Sequence, residues 1–105
     1  MLLSIAVLSL LWGAANADDR SPNVALLTAN PIYQKNCAKC HGKGATGRRF
    51  GEGTTLVSDK VATASAGDLR NIITNGKGRM PKFGSKISAS DIDALILQLK
   101  AANTK

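Results

Sequence analysis

Apolar residues near the C-terminus recur at intervals of three and four, which is the spacing of one face of an α-helix. They are Ile92, Leu95, Ile96 and Leu99. Ser88 precedes this run, and the segment from Ser88 to Asp91 has the sequence of a capping box, in which the serine side chain caps the new helix. The pattern predicts an amphipathic helix that follows Ser88 and ends among residues 101–103.

An earlier segment carries a second helical signal. Asn30 and Pro31 fit the N-cap and first position of a helix, and Tyr33, Cys37 and Cys40 follow at spacings of four and three residues. We expect this helix to begin at Pro31 and to end one or two residues beyond Cys40.

A third helix is predicted between Ser65, which can cap it, and Gly76, a residue typical of the position after a helix. Its apolar face comprises Leu69, Ile72 and Ile73. Residues 42–64 and 77–84 contain several glycines and lack periodicity, so we expect irregular loops there. No segment shows a convincing alternation of polar and apolar residues over four or more positions, and the chain is therefore predicted to be all-α.

The N-terminal segment has the features of a secretory signal peptide. An uncharged apolar run spans residues 2–12, and Ala15-Asn16-Ala17 supplies the small residues of a cleavage site. The run is shorter than the about 20 apolar residues that a membrane span takes. No Lys or Arg precedes it, and a buried N-terminal helix is the alternative. We expect a signal peptide over 1–17 with cleavage after Ala17, export to the periplasm, a lead-in segment over 18–29 and one domain over 30–105.

The chain left after cleavage, 105 − 17 = 88 residues, has little material for a core. Its large aromatic side chains are Tyr33, Phe50 and Phe83, and its cysteines are Cys37 and Cys40. Small domains of this kind usually gain stability from disulfides, metals or cofactors. A disulfide across so short a loop constrains the unfolded chain little, so a large apolar cofactor is the better candidate.

Cys37-Ala38-Lys39-Cys40-His41 is the attachment signature of c-type haem. Two intervening residues place both sulfur atoms on one side of a helical turn, where they can bond two vinyl groups at one edge of the haem, and the adjacent histidine can bind the iron. Three other interpretations are weaker. A thioredoxin-like redox pair belongs to a fold with strands, a zinc site takes four ligands, and a structural disulfide does not need the histidine.

A haem iron that carries electrons takes a second axial ligand. Because Met1 belongs to the predicted signal peptide and the only histidine is already used, Met80 is the remaining candidate. A lone methionine more often fills a gap in a core. Met80 instead lies between glycines and Pro81 in a loop without apolar periodicity, so ligation is the favoured interpretation. A thioether favours ferrous iron, and a His/Met pair therefore raises the reduction potential.

The order of these motifs resembles that of class I mono-haem c-type cytochromes, in the short bacterial form that also occurs as the subunit III domain of cbb3-type cytochrome c oxidases. The resemblance extends from about Asn30 to Ala102. It rests on Tyr33, on the haem-attachment motif, on the sequence N-G-K-G-R-M-P-K-F from Asn75 to Phe83, and on the last helix.

The resemblance implies an all-α cytochrome c fold, in which three or four helices wrap around one covalently bound haem c and the first and last helices cross. It implies that Cys37 and Cys40 are the covalent anchors of the haem. It also implies that His41 and Met80 are the two ligands of its iron.

At the crossing of the helices, the resemblance places Tyr33 against Leu95 and Ile96. Two departures from the family pattern affect this picture. Relatives often carry a proline after the attachment site whose carbonyl holds the proximal histidine, whereas residues 51–55 here are Gly-Glu-Gly-Thr-Thr. Relatives also often carry an aromatic residue late in the last helix, where residues 97–99 here are Leu-Gln-Leu, and we expect looser packing of the helix pair.

The chain carries 14 Lys and Arg against 7 Asp and Glu, and nine of these cations fall in two segments without an acidic residue. We call the nine the basic rim: Lys35, Lys39, Lys43, Arg48, Arg49, Lys77, Arg79, Lys82 and Lys86. Both segments flank the expected haem edge, where a positive rim would steer an acidic redox partner such as a membrane oxidase, reductase or dehydrogenase. The predicted export and the scarcity of aromatic residues argue against a nucleic acid as partner.

Together these features predict a monomeric periplasmic carrier of single electrons rather than an enzyme. The first alternative is a permanent subunit of a larger dehydrogenase or oxidase, in which an apolar interface would replace the charged rim. The second alternative is a ligand-binding or peroxidatic haem protein with an open iron position, which would require that Met80 does not bind the iron.

Overall fold

The computed structural model describes residues 23–47 and 54–104, which contain six helices and no strand. In chain order these are α1 (Val24–Thr28), α2 (Pro31–Asn36), α3 (Ala38–His41), α4 (Asp59–Thr63), α5 (Ala66–Asn75) and α6 (Ala89–Ala102). The all-α prediction is confirmed. No helix within 23–47 or 54–104 combines the length and the apolar character that crossing a membrane requires.

Some sequence-based expectations concern residues outside these ranges. They are the signal peptide with its cleavage after Ala17, the first part of the lead-in segment, and the rim residues Arg48 and Arg49. Phe50 and the first three residues of the Gly-Glu-Gly-Thr-Thr stretch also lie outside the described residues.

Both of the longer helices begin at a serine cap, as the sequence predicts. The Ser65 hydroxyl accepts a hydrogen bond from the Asp68 amide at 3.0 Å, and the Ser88 hydroxyl accepts one from the Asp91 amide at 3.1 Å. α5 ends before Gly76, whose backbone φ is +79°. Residues other than glycine rarely adopt this conformation. The predicted limits of α5 and α6 are therefore confirmed.

The helix predicted from Pro31 to the end of the cysteine motif is divided in two. Asn30 caps it as expected, since its side chain accepts a hydrogen bond from the Ile32 amide at 2.9 Å. At Cys37, where φ is −115°, α2 ends and α3 begins. The backbone hydrogen bonds continue through this point, from Cys37 to Tyr33 at 2.8 Å and from the amide of residue 41 to Cys37 at 2.9 Å. The prediction of one uninterrupted helix is wrong at this residue, but the register of the motif is kept.

Two short helices were not predicted from the sequence. α1 lies within the segment predicted as a lead-in and packs against α6 through the buried Leu27. α4 lies within the region predicted as an irregular loop, and that prediction is wrong for residues 59–63. The Ser58 hydroxyl caps the start of α4. At the other end of the helix, the ammonium group of Lys100 donates to the carbonyls of Ala62 at 3.0 Å and Ala64 at 2.6 Å. Because Lys100 is distant in sequence, no local pattern could indicate this support.

α6 is the central element of the fold, since α1, α4 and α5 all pack against it. Its buried side chains form one cluster with those of the other segments, and Tyr33, Leu95 and Ile96 belong to it together. Gln98 accepts a hydrogen bond at 2.8 Å from the side-chain amide of Asn30, so a polar link joins the N-cap of α2 to α6.

Candidate functional site

His41, the last residue of α3, is held by a backbone carbonyl. Its Nδ1 atom lies 2.8 Å from the carbonyl oxygen of Thr54. A carbonyl oxygen can only accept, so Nδ1 carries the proton, and in the neutral imidazole Nε2 keeps a lone pair that can bind a metal. Thr54 therefore supplies a carbonyl partner for His41 that the sequence alone does not identify. Thr54 has no side-chain signal for this role, since only its backbone is used.

The backbone around His41 is fixed by the loop that follows α3. The carbonyl of His41 accepts from the Gly47 amide at 2.8 Å, and the carbonyl of Gly42 accepts from the Tyr33 hydroxyl at 2.6 Å. Gly42 has φ +90°, and a Cβ built on it would lie 2.7 Å from the carbonyl oxygen of Gly47. Only glycine fits this position, so the close return of the loop depends on it.

Tyr33 links the haem-attachment motif to the core. Only 1% of its surface is exposed, and its hydroxyl donates to the Gly42 carbonyl immediately after His41. Burial raises the pKa of Tyr33 to about 12, because it disfavours the phenolate. The Tyr33 side chain therefore helps to position the histidine in two ways: its ring packs in the core, and its hydroxyl forms one hydrogen bond.

Cys37 and Cys40 lie on one helical turn as partly buried free thiols. Burial raises the pKa of the Cys37 thiol to about 11, and the neighbouring Cys40 thiolate acts in the same direction. Redox-active cysteine pairs depend on a lowered thiol pKa, so this environment does not favour a thioredoxin-like role. In the described part of the chain, no three side chains of His, Cys, Asp or Glu form a cluster for a metal ion.

Met80 lies in the loop between α5 and α6 and packs, half-buried, against the core cluster. Its backbone is paired with Lys77 in both directions, at 2.9 and 3.2 Å. The far end of the loop is hydrogen-bonded to the end of α5. The Phe83 amide donates to the carbonyl of Ile73 at 2.9 Å, and the Gly84 amide donates to the carbonyl of Thr74 at 3.1 Å. The backbone of the proposed second ligand is therefore held at both ends of its loop.

Gly76 allows the Met80 loop to close. Its φ is +79°, and a Cβ at this position would lie 2.6 Å from the carbonyl oxygen of Met80 and 3.1 Å from the amide nitrogen of Lys82. Real Cβ atoms do not approach backbone so closely. The glycine that the sequence suggested as a helix stop thus also fixes the path of the chain toward Met80.

Seven members of the basic rim fall within the described residues, and all seven are exposed. They are Lys35, Lys39, Lys43, Lys77, Arg79, Lys82 and Lys86. The Lys86 ammonium lies 5.7 Å from the centre of the Phe83 ring, within the range of a cation–π contact. Exposed cations from the two segments thus accompany both the haem-attachment motif and the Met80 loop in sequence.

The fold and these residues define a class, the small all-α cytochromes of the c type. Residues 25–97 match the family described as cytochrome c oxidase, cbb3-type, subunit III, and this chain belongs to that family. Membership implies a covalently bound haem c. The residues fit such a group: they offer two partly buried thiols on one helical turn, an imidazole with Nε2 free and a thioether in an anchored loop.

Individual relatives agree with this assignment. A dihydro-heme d1 dehydrogenase from Pseudomonas aeruginosa is 30% identical over 97 residues, which are 90% of this chain and 18% of the longer protein. A cytochrome c6 from Microcystis aeruginosa is 33% identical over 67 residues, covering 61% of this chain and 80% of that protein. The solved structure of the c-type cytochrome NirC is similar with a TM-score of 0.57 at 26% identity, covering 79% of this chain and 92% of that one.

Proposed function

We propose that this protein carries single electrons through one haem c, bound covalently by Cys37 and Cys40, with His41 and Met80 as the iron ligands. The observation that carries the proposal is the hydrogen bond from His41 to Thr54, which fixes the imidazole and leaves Nε2 free. When bound, the haem supplies a reversible ferric/ferrous couple.

The protein's own residues would tune this couple and protect it. A carbonyl acceptor at Nδ1 makes the imidazole a stronger electron donor, which favours ferric iron, whereas the thioether of Met80 favours ferrous iron. The hydrogen bonds at both ends of the Met80 loop fix the backbone that carries this side chain. An iron with both axial positions filled does not bind a substrate, so the arrangement supports a carrier rather than an enzyme.

The positive charge of the basic rim favours docking of a redox partner with an acidic surface. Long-range attraction between opposite charges raises the rate of encounter, and redox complexes of this kind are small and short-lived. We therefore propose a monomer that docks transiently through the rim onto an acidic oxidase, reductase or dehydrogenase.

Export to the periplasm is part of the proposal and rests on the sequence of residues 1–17. N-terminal sequencing of the haem-containing protein, isolated from cells that express the full chain, should begin at Asp18. A mature protein that retains the apolar run would contradict cleavage after Ala17.

A redox titration followed by visible absorption tests the electron-carrier function. We expect one reversible transition with one electron, and a ferrous form that binds carbon monoxide slowly or not at all because Met80 holds the sixth position. Rapid binding of carbon monoxide by the ferrous protein, together with a high-spin ferric spectrum, would support the ligand-binding alternative instead.

The similarity to a dihydro-heme d1 dehydrogenase favours a second candidate, a haem subunit or domain of a larger enzyme. The exposed side chain of Leu97, 72% accessible on α6, is compatible with a permanent interface. Sedimentation of the protein isolated from its own cells separates the two: a carrier sediments at the mass of one chain, and a subunit sediments with its complex at all salt concentrations.

A further inference from the structure

Asn103, the residue that follows α6, has a buried side chain whose amide nitrogen and oxygen both form hydrogen bonds. Only 7% of its surface is exposed. Its Nδ2 donates to the carbonyls of Leu56 at 2.8 Å and Leu99 at 2.9 Å, and its Oδ1 accepts from the Ser58 amide at 2.9 Å. Burying an amide is unfavourable unless its hydrogen bonds are satisfied. Two of these three bonds reach Leu56 and Ser58, which are 47 and 45 residues away in sequence.

The segment that Asn103 holds is the one that supplies the carbonyl for His41. The Leu56 amide donates to the carbonyl of Ala45 at 2.7 Å, and the carbonyl of the same residue accepts from Asn103. Leu56 is thus pinned on both sides, two residues after Thr54. Ala45 itself is fully buried and has φ +65°, unusual for a residue with a side chain, so the structure holds this anchor point against local strain.

Among the described residues, the one next to Thr54 gives it no link to another segment. Thr54 is exposed and lies outside the helices, and its neighbour Thr55 bonds only locally, to Val57. Water can compete for a carbonyl in this setting. The strength of the bond to His41 therefore depends on how well residues 56–58 are fixed.

We propose that Asn103 is a positioning residue for the proximal histidine: through Leu56 and Ser58 it holds the Thr54 carbonyl against Nδ1 of His41. This inference rests on the proposed role of His41 as iron ligand. It adds that the C-terminus of the last helix sets the donor strength of that ligand. Loss of Asn103 weakens the bond at Nδ1, makes the imidazole a poorer donor, destabilises ferric iron and raises the reduction potential.

The test compares Asn103→Leu with Gln98→Leu in the haem-containing protein. Both substitutions replace a side-chain amide on or next to α6 by an apolar group. Asn103→Leu breaks two hydrogen bonds to another segment and one to Leu99 of α6, and Gln98→Leu breaks one hydrogen bond to another segment. Gln98, however, bonds to Asn30 and has no link to Thr54. The two readouts are the reduction potential and the exchange rate of the His41 Nδ1 proton with solvent, measured by NMR.

For Asn103→Leu we expect a higher potential than that of the unsubstituted protein and proton exchange faster by about two- to tenfold, the effect of losing one net hydrogen bond. For Gln98→Leu we expect a loss of stability with both readouts unchanged. Unchanged readouts in Asn103→Leu, or equal shifts in both variants, would overturn the positioning role. If the unsubstituted protein shows no haem-shifted His41 signal, the proposed function has failed rather than this inference.

Discussion

The carbonyl oxygen of Thr54 lies 2.8 Å from Nδ1 of His41, although the two residues are thirteen positions apart. This contact fixes the tautomer of the imidazole and reserves Nε2 for a metal. It also shows that the backbone carbonyl of a residue other than proline can hold the histidine of this motif.

Replacement of His41 by alanine should prevent the accumulation of stable haem-containing protein. Without the imidazole, the iron loses its proximal ligand, and the core loses the cofactor that its few aromatic residues cannot replace. Haem-stained gels of whole-cell extracts measure the yield, with the exposed-site variant Lys35→Ala as control. Normal yields of low-spin haem protein in His41→Ala would show that another residue is the ligand.

Replacement of Gly76 by alanine should disturb the Met80 loop. The backbone conformation there is one that glycine alone adopts easily, and the added Cβ would collide with the Met80 carbonyl, so we expect a loss of about 1–3 kcal/mol of stability. The loosened loop should also let cyanide bind ferric iron faster.

Gly78→Ala is the matched control for this change. Gly78 lies in the same loop and also has positive φ, +57°, but nothing lies within 4 Å of a Cβ built on it. We expect a smaller loss of stability and cyanide binding close to that of the unsubstituted protein. Equal cyanide rates in the two variants would mean that the contact of Gly76 with Met80 does not control the loop.

The only tyrosine of the chain should ionise far above its ordinary range. Burial raises the pKa of Tyr33 to about 12 from 10.0. Since the folded state favours the protonated phenol, its contribution to stability is complete below pH 10 and is lost as the pH rises from 10 to 12. NMR of a ring-labelled tyrosine measures the ionisation, and a midpoint near pH 10 in the folded protein would contradict the burial described here.

Tyr33→Phe separates the hydroxyl from the ring. The variant keeps the packing but leaves the Gly42 carbonyl without the 2.6 Å hydrogen bond. We expect a loss of about 1 kcal/mol at neutral pH, measured by denaturant unfolding, and no stability change from this residue between pH 10 and 12.

Charge reversal on the basic rim should slow reactions with anionic partners. For Lys39→Glu with Lys82→Glu, we expect slower reduction by ferrocyanide, an unchanged or faster rate with a cationic cobalt reagent, and a weaker dependence on salt. Lys60→Glu, an exposed lysine on α4 outside the rim, is the control. Because Lys60→Glu changes the net charge by half as much as the double variant, an effect half as large would mean that net charge, and not the rim, governs the encounter.

The features that the sequence predicts well are local ones. The serine caps of α5 and α6 and the stop at Gly76 depend on residues a few positions apart, and their limits agree with the structure. The haem-attachment motif likewise keeps its helical register despite the break at Cys37.

The features that the sequence could not predict depend on distant contacts. α4 is closed by Lys100, α1 is stabilised by α6, and Thr54 and Asn103 act through bonds that span 13 to 47 residues. The role of Thr54 uses only its carbonyl, which every residue has. Asn103 resembles an ordinary residue at the end of a helix until its three partners are known.

The absorption spectrum of the oxidised protein, compared with that of Met80→Ala, tests the central claim most directly. We predict a low-spin ferric spectrum with the weak near-red band of a methionine–iron bond, and its loss in Met80→Ala together with a lower potential and rapid cyanide binding. A high-spin spectrum in the unsubstituted protein, or a spectrum that Met80→Ala leaves unchanged, would contradict the account of a closed, His/Met-ligated electron carrier.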